Sequence, residues 1–300
     1  WHHVVFVQDN LARSIYVDGV LDDLAIAAKP DSGWADLDAT TIGGILRGSA
    51  SHWVTGLIDE VAIWKRALSG EETALLHSEG VPVDTGLIAH FPLDSDGNSS
   101  DGGFTASKVT DVTFGSGGAN ANTGTSATFN GASSVIQHDW SADLNPESFT
   151  LALWAKSDGG AGAWHSPVTS RHDLYNEGEA SQGYLIYDNN PAGVWTFWSG
   201  NGDVAGNWQI LDGPAVNLGE WDHLAITYDD ASEMKKLYVN GELAVEANDS
   251  VFPNDTTPFN IGAGQDMGTG FWFIGDLDDI GLWDGALSEE EIQVVMEQGV

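Results

Sequence analysis

The feature that most constrains this chain is a stretch written twice. Residues 56–69 read GLIDEVAIWKRALS and residues 275–288 read GDLDDIGLWDGALS. Ile58 answers to Leu277, Asp59 to Asp278, Glu60 to Asp279 and Trp64 to Trp283, and Ala67-Leu68-Ser69 answers to Ala286-Leu287-Ser288. Asp59 and Asp278 stand 219 positions apart. That interval is too long for a solenoid unit and suits one β domain repeated in tandem. Each copy predicts a strand with one buried side and acids near one end, because apolar and acidic residues mix along it. Ser69 with Glu72, and Ser288 with Glu291, fit a capping box that starts a short helix. Ile292, Val295 and Met296 form the stripe of the second helix, which Gly299 ends; Leu75, Leu76 and Gly80 play these parts in the first.

The likeness extends upstream. Residues 1–7 align with 221–227, so that Val4 and Phe6 answer to Leu224 and Ile226 at the period of a half-buried strand. His3 and His223 share a matching position and read as structural. Asp18-Gly19 and Asn240-Gly241 are hairpin turns, because both central residues must take positive φ. Ile42-Gly43 answers to Ile261-Gly262, entering a further strand. Residues 1–80 therefore match only the second half of a domain. Residues 81–85 form a linker, with Pro82 ending any helix before it, and residues 86–300 carry a complete set of strands. Those strands include Phe149, Leu151 and Leu153 alternating towards Trp154, then residues 184–187 and 194–198; residues 115–126 read as a loop. Many short strands with regular turns predict an all-β sandwich or jelly roll. Leu224, Ile226, Ile280 and Leu282 are expected to share its interior. The strands of residues 1–80 would lack a covering sheet, and an isolated fragment of them is expected to be unfolded or sticky.

A strand of hydrophobic-Asp-acid-hydrophobic pattern, then Trp, Ala-Leu-Ser and an acidic helix, resembles the end of a LamG-like, concanavalin A-like jelly-roll domain. The opening strand at residues 86–94 and the Phe129-Asn130-Gly131 turn resemble the same family. The resemblance implies a β-sandwich with a short helix after its last strand, in a secreted or cell-surface binding module. It also implies a structural calcium ion at the sandwich edge, held by Asp278 with Asp94 and the Asn130-Gly131 turn. Asp59 would be the stranded equivalent in the half domain.

Charge narrows the partners. With 45 acids against 10 bases the net charge is −35. Such a surface repels nucleic acid and anionic lipid, and favours cations, neutral sugars or basic proteins; it also suits simple solvation in salty water. No cysteine is present, which excludes disulfides and thiolate chemistry. No apolar run is long enough to span a membrane. No signal peptide is seen, and the opening at Trp1, inside a pattern that recurs at Trp221, leads us to expect a segment of a longer polypeptide with tandem neighbours.

Thirteen tryptophans point towards sugars, whose C–H faces stack on aromatic rings. Trp154, Trp221 and Trp283 lie in strand patterns and are expected in the core. Trp164, Trp208 and Trp272 lie in or beside Gly-rich loops and are candidate ligand contacts. Trp195 and Trp198 have opposite strand parity, so at most one faces the core, and Trp198 is the ligand candidate. The paired-carboxylate strand of glycan hydrolases is not found, nor is a zinc His-Glu-x-x-His, a Gly-x-Ser-x-Gly elbow or a P-loop. The expectation is a non-catalytic extracellular module that binds carbohydrate or an extracellular protein. The alternatives are an accessory domain of a secreted glycan-degrading enzyme and a structural spacer in a surface adhesin.

Overall fold

A computed structural model describes residues 1–9, 12–26, 42–47, 49–51, 53–59, 61–63, 68, 70–79, 86–159, 164–172, 180–189, 193–202, 208–265 and 271–300. Glu60, Trp64, Ala67, Ser69, Gly80 and the linker 81–85 lie outside the described residues. The chain divides into two units, Trp1–Pro82 and Val83–Val300.

In the first unit β1 (Val4–Asp9), β2 (Ala12–Val17) and β3 (Val20–Ile26) form an antiparallel sheet, and β4 (Ile45–Arg47) pairs with β5 (Ser49–Ser51). Helix α1 (Gly70–Glu79) follows. Asp18 (φ 49°) and Gly19 (φ 75°) make the expected turn between β2 and β3. Val5, Leu68 and Leu76 are buried together, with Val7 and Tyr16 packed on them. The opposite side is bare: Val4 is 47% exposed and Phe6 75%. Ile42 is exposed and Gly43 lies in a bend ahead of β4, not in a strand.

Among the described residues, the predicted strand at 58–63 does not form. Residues 57–59 and 61–63 are irregular, and Leu57, Ile58, Val61 and Ile63 are exposed. The reason is visible in the second unit. There the equivalent strand is β21 (Ile274–Asp284), which lies between β11 (Phe149–Ser157) on one side and β9 (Thr125–Asn130) and β6 (Leu87–Phe91) on the other. All three partners precede the Trp221 pattern in sequence, and residues 1–80 carry no counterpart of them.

The second unit is a sandwich of two antiparallel sheets. One runs β19 (Glu242–Asn248), β18 (Met234–Val239), β17 (Asp222–Asp229), β11, β21, β9 and β8 (Thr113–Gly117), with β6 also paired to β21. The other runs β16 (Trp208–Ala215), β15 (Val194–Gly200), β14 (Gln182–Asn189), β13 (Val168–His172), β20 (Phe259–Ile261), β10 (Val135–His138) and β7 (Lys108–Thr110), with β12 (Trp164–His165) beside β14. Leu224, Ile226, Ile280 and Leu282 are fully buried in one core with Ile136, Ile186, Phe197 and Ile261 of the facing sheet. The stretch read as a loop at 115–126 is strand at both ends. A register shift between Phe114 and Ser116, with Gly115 at φ 85°, lets β8 continue through it.

Helix α2 (Glu289–Gln298) starts with the predicted box: Glu291 N–H donates to Ser288 Oγ at 3.2 Å, and Ser288 N–H to Glu291 Oε2 at 2.7 Å. Its Ile292 and Val295 pack with Trp283, Ala152, Ala225 and Tyr238 on the outer side of the first sheet. Of the three tryptophans expected in the core, Trp283 is buried there. Trp154 and Trp221 are half-buried. Trp154 follows the inward-facing Leu153, so it points outward, where its ring meets His223 edge-on at 5.1 Å.

Candidate ligand-binding face and acidic edge

Strand alternation builds the first candidate site. In β15, Trp195 and Phe197 point into the core, and the Trp195 indole donates to Asp222 Oδ2 at 2.8 Å. Thr196 and Trp198 therefore point out of the sandwich. In β14, Tyr184 and Ile186 are core residues, so Tyr187 shares the outer face with Trp198. The rings converge. Trp164 and Trp198 meet at 5.2 Å, Trp164 and Tyr187 at 5.4 Å, Tyr187 and Trp198 at 5.6 Å, and Tyr187 and Phe271 at 5.9 Å. Beside them Arg171 Nη1 donates to Tyr187 Oη at 3.4 Å, and its guanidinium lies 5.2 Å from the centre of the Trp208 ring. Trp164, Trp198, Trp208 and Phe271 are half-exposed, whereas Tyr187 and Arg171 are buried.

Of the four predicted ligand tryptophans, Trp164 and Trp198 touch and Trp208 joins through Arg171. Trp272 enters through its backbone, bridging to Ser166 and Ala263. Sequence reasoning missed Tyr187, Arg171 and Phe271. The same parity argument that selected Trp198 would have selected Tyr187, but Phe271 depends on how a loop folds back. Two polar atoms in this region, Trp198 Nε1 and Thr196 Oγ1, are buried without a hydrogen-bond partner among the described residues.

The second candidate is the acidic edge at β21. Ala152 pairs with Gly281 but Trp154 with Asp278, so β21 carries one extra residue at this point. Asp279 takes that bulge at φ 50°. The bulge lets Leu277 and Ile280, three residues apart, both face the core, and it re-aims the acids. Asp279 accepts from His90 Nε2 at 2.7 Å and from Val300 N–H at 2.9 Å. Asp278 Oδ2 accepts from Ala119 N–H at 2.8 Å and Thr123 Oγ1 at 2.7 Å, while Oδ1 is buried without a partner among the described residues. Burial pushes the Asp278 carboxyl up to about 6; the nearby charges of Asp279 and Asp94 add to this, against the two hydrogen bonds.

Asp94 grips the same loop from its other end, accepting from Thr125 N–H at 2.5 Å and Thr125 Oγ1 at 2.9 Å. Gly124 turns the chain beside it at φ 74°, a backbone conformation that residues with a side chain rarely adopt. The Asn130-Gly131 turn does not join them. Asn130 pairs with Ile274, four residues from Asp278 and so about 13 Å along the strand. Its Oδ1 accepts from the backbone N–H groups of Ala132, Ser133 and Ser134, and Gly131 lies against Ile274. Among the described residues no group of three or more His, Cys, Asp or Glu side chains is arranged to hold a metal. No helix among them is long and apolar enough to cross a membrane.

Comparison with known proteins follows this geometry. The family described as the concanavalin A-like lectin/glucanases superfamily matches residues 1–74 and 129–293. Sushi, von Willebrand factor type A, EGF and pentraxin domain-containing protein 1 of Rattus norvegicus is 27% identical over 155 residues. The match covers 49% of this chain and 4% of that protein. The binding domain of Paraclostridial Mosquitocidal Protein 1 superposes with a TM-score of 0.54 at 15% identity, over 72% of this chain and 52% of that one. Domain 4 of AbnA, a GH43 extracellular arabinanase from Geobacillus stearothermophilus, in complex with arabinotriose, gives 0.50 at 21% identity, over 70% and 98%. At these identities the solved structures share the fold.

Proposed function

The chain belongs to the concanavalin A-like lectin/glucanases superfamily, and on that premise we propose that it is a non-catalytic extracellular module that binds carbohydrate through the outer face of its second sheet. The observation that carries this reading is the aromatic constellation of Trp164, Tyr187, Trp198 and Phe271, with Trp208 and Arg171 beside it. Residues from separate strands and a loop supply these rings, and several keep part of their surface open. Stacked rings with a few polar groups between them match the apolar faces and hydroxyls of a sugar. The arabinotriose complex of AbnA domain 4, on the same fold, supports a sugar as ligand. The binding-domain neighbour supports a recognition role, with an extracellular protein as the second reading of the ligand. The match to an EGF- and pentraxin-domain protein supports an extracellular setting. A glycan array probed with the wild type and with Trp164→Ala/Trp198→Ala tests the sugar reading. Discrete hits lost in the variant support it, and an empty array rejects it in favour of a protein ligand or a spacer role.

We also propose a structural calcium ion at the acidic edge. What supports this is that two hard-oxygen carboxylates, Asp94 and Asp278, hold one loop, and that Asp278 keeps a buried oxygen without a partner among the described residues. The ion would neutralise a carboxylate that burial disfavours, and so hold the 118–124 loop to the sheet. A calcium ion that binds only the folded state raises the melting temperature. The expected result is a rise with calcium over EDTA in the wild type and none in Asp278→Asn. Equal melting temperatures in calcium and EDTA would remove the site.

A further inference from the structure

We propose that the loop at residues 118–124 is a clamp that couples the acidic edge of β21 to the C-terminus of α2, so that calcium at this edge holds the last turn of the helix in place. The calcium trigger rests on the reading above, whereas the clamp is carried by hydrogen bonds within the chain.

The end of α2 needs donors from outside the helix. Glu289, Glu290 and Glu291 suit the positive end of its dipole, but its last turn has no basic residue. The last carbonyls of a helix have no partner within it. Gly299 N–H donates to the Val295 carbonyl at 2.9 Å. The next two carbonyls are met by the loop. Asn120 Nδ2 donates to the Met296 carbonyl at 3.2 Å, and Asn122 Nδ2 to the Glu297 carbonyl at 2.8 Å. These donors lie 176 and 175 positions earlier in the chain.

The same loop is tied to the acidic edge. Thr123 is buried; its Oγ1 donates to Asp278 Oδ2 and accepts from Asn120 N–H at 3.3 Å. Asn120 Oδ1 in turn accepts from Asn122 N–H at 2.7 Å. Every step from Asp278 to the two helix carbonyls is thus a direct hydrogen bond. Asp279 holds the chain just past the helix, accepting from Val300 N–H, and Val300 packs with Trp283. The rest of α2 is anchored separately, by its capping box, by Ile292 and Val295, and by Gln293 Nε2, which donates to the Gly241 carbonyl at 3.2 Å. Release of the loop therefore frees the last turn alone, as a local opening within an intact fold.

Hydrogen exchange of the full chain, read by mass spectrometry in calcium and in EDTA, tests the clamp, with calcium binding followed by calorimetry. Calcium should slow exchange in the loop and at residues 297–300 together by at least about threefold, the scale of one ordinary hydrogen bond. In Asn120→Ala/Asn122→Ala calcium should still protect the loop but leave 297–300 unchanged. Coupling is reciprocal, so this variant should also bind calcium more weakly by a similar factor. In EDTA, Thr123→Val should speed exchange in both segments, and Asn122→Ala, which alters an exposed side chain, should speed it at 297–300. Calcium binding that protects the loop but not 297–300 overturns the proposal, as does a calcium effect on 297–300 that survives in the double variant. No calcium binding by calorimetry refutes the calcium reading and the trigger with it. The clamp then stands if both EDTA variants speed exchange at 297–300, and falls if neither does.

Discussion

His223 shows how one side chain records its surroundings. It is 1% exposed, set against the edge of Trp154, and its Nδ1 has no partner among the described residues. Burial lowers its pKa from 6.5 to about 3. In the unfolded chain the imidazole takes a proton below 6.5, while in the fold it stays neutral down to about 3. The unfolded state therefore binds more protons across this window, and the contribution of His223 to stability is lost as pH falls through it. At pH 5 the loss is about 2 kcal/mol. His138 acts in the same direction between 6.5 and about 4, and Asp278, with its raised pKa, acts in the opposite one. Comparing wild type with His223→Phe isolates the single group. Denaturant melts should show the gap between the two proteins shifting by about 2 kcal/mol in favour of the variant from pH 7 to pH 5. A gap independent of pH would mean that His223 is not excluded from protonation.

At the scale of elements, the capping box, both positive-φ hairpin turns and the parity of Trp195 against Trp198 were legible because each is decided within a few residues. Ser288 satisfies a backbone donor of the first turn of α2, so Ser288→Ala should lower stability by about 1 kcal/mol in a thermal or denaturant melt. No change there would mean that Ile292 and Val295 hold the helix without its cap. The strand expected at 58–63 was misread for a non-local reason. Its pattern matches β21, but β21 is a strand because β11, β9 and β6 take up its backbone bonds. The Asn130-Gly131 turn was placed at the acidic edge by resemblance, and only the register of β9 on β21 shows how far along the strand it sits.

Across the whole chain, the paired copies separate what sequence encodes from what neighbours supply. Val4 and Phe6 carry the pattern of Leu224 and Ile226, which are fully buried, yet remain 47% and 75% exposed. Burying a residue such as Phe6 is worth about 2 kcal/mol, most of which the first unit does not gain. The second unit closes two sheets on one interior. Its acids and aromatics are thereby left at distinct places: the β21 edge and the outer face of the second sheet. The central claim is that this outer face binds sugar. The most direct test is the affinity of the wild type and of Trp198→Ala for a glycan selected on the array. Losing a stacked ring from the site should weaken binding at least about tenfold without lowering the melting temperature by more than a few degrees. Undiminished affinity in the variant would place the sugar elsewhere and contradict the account.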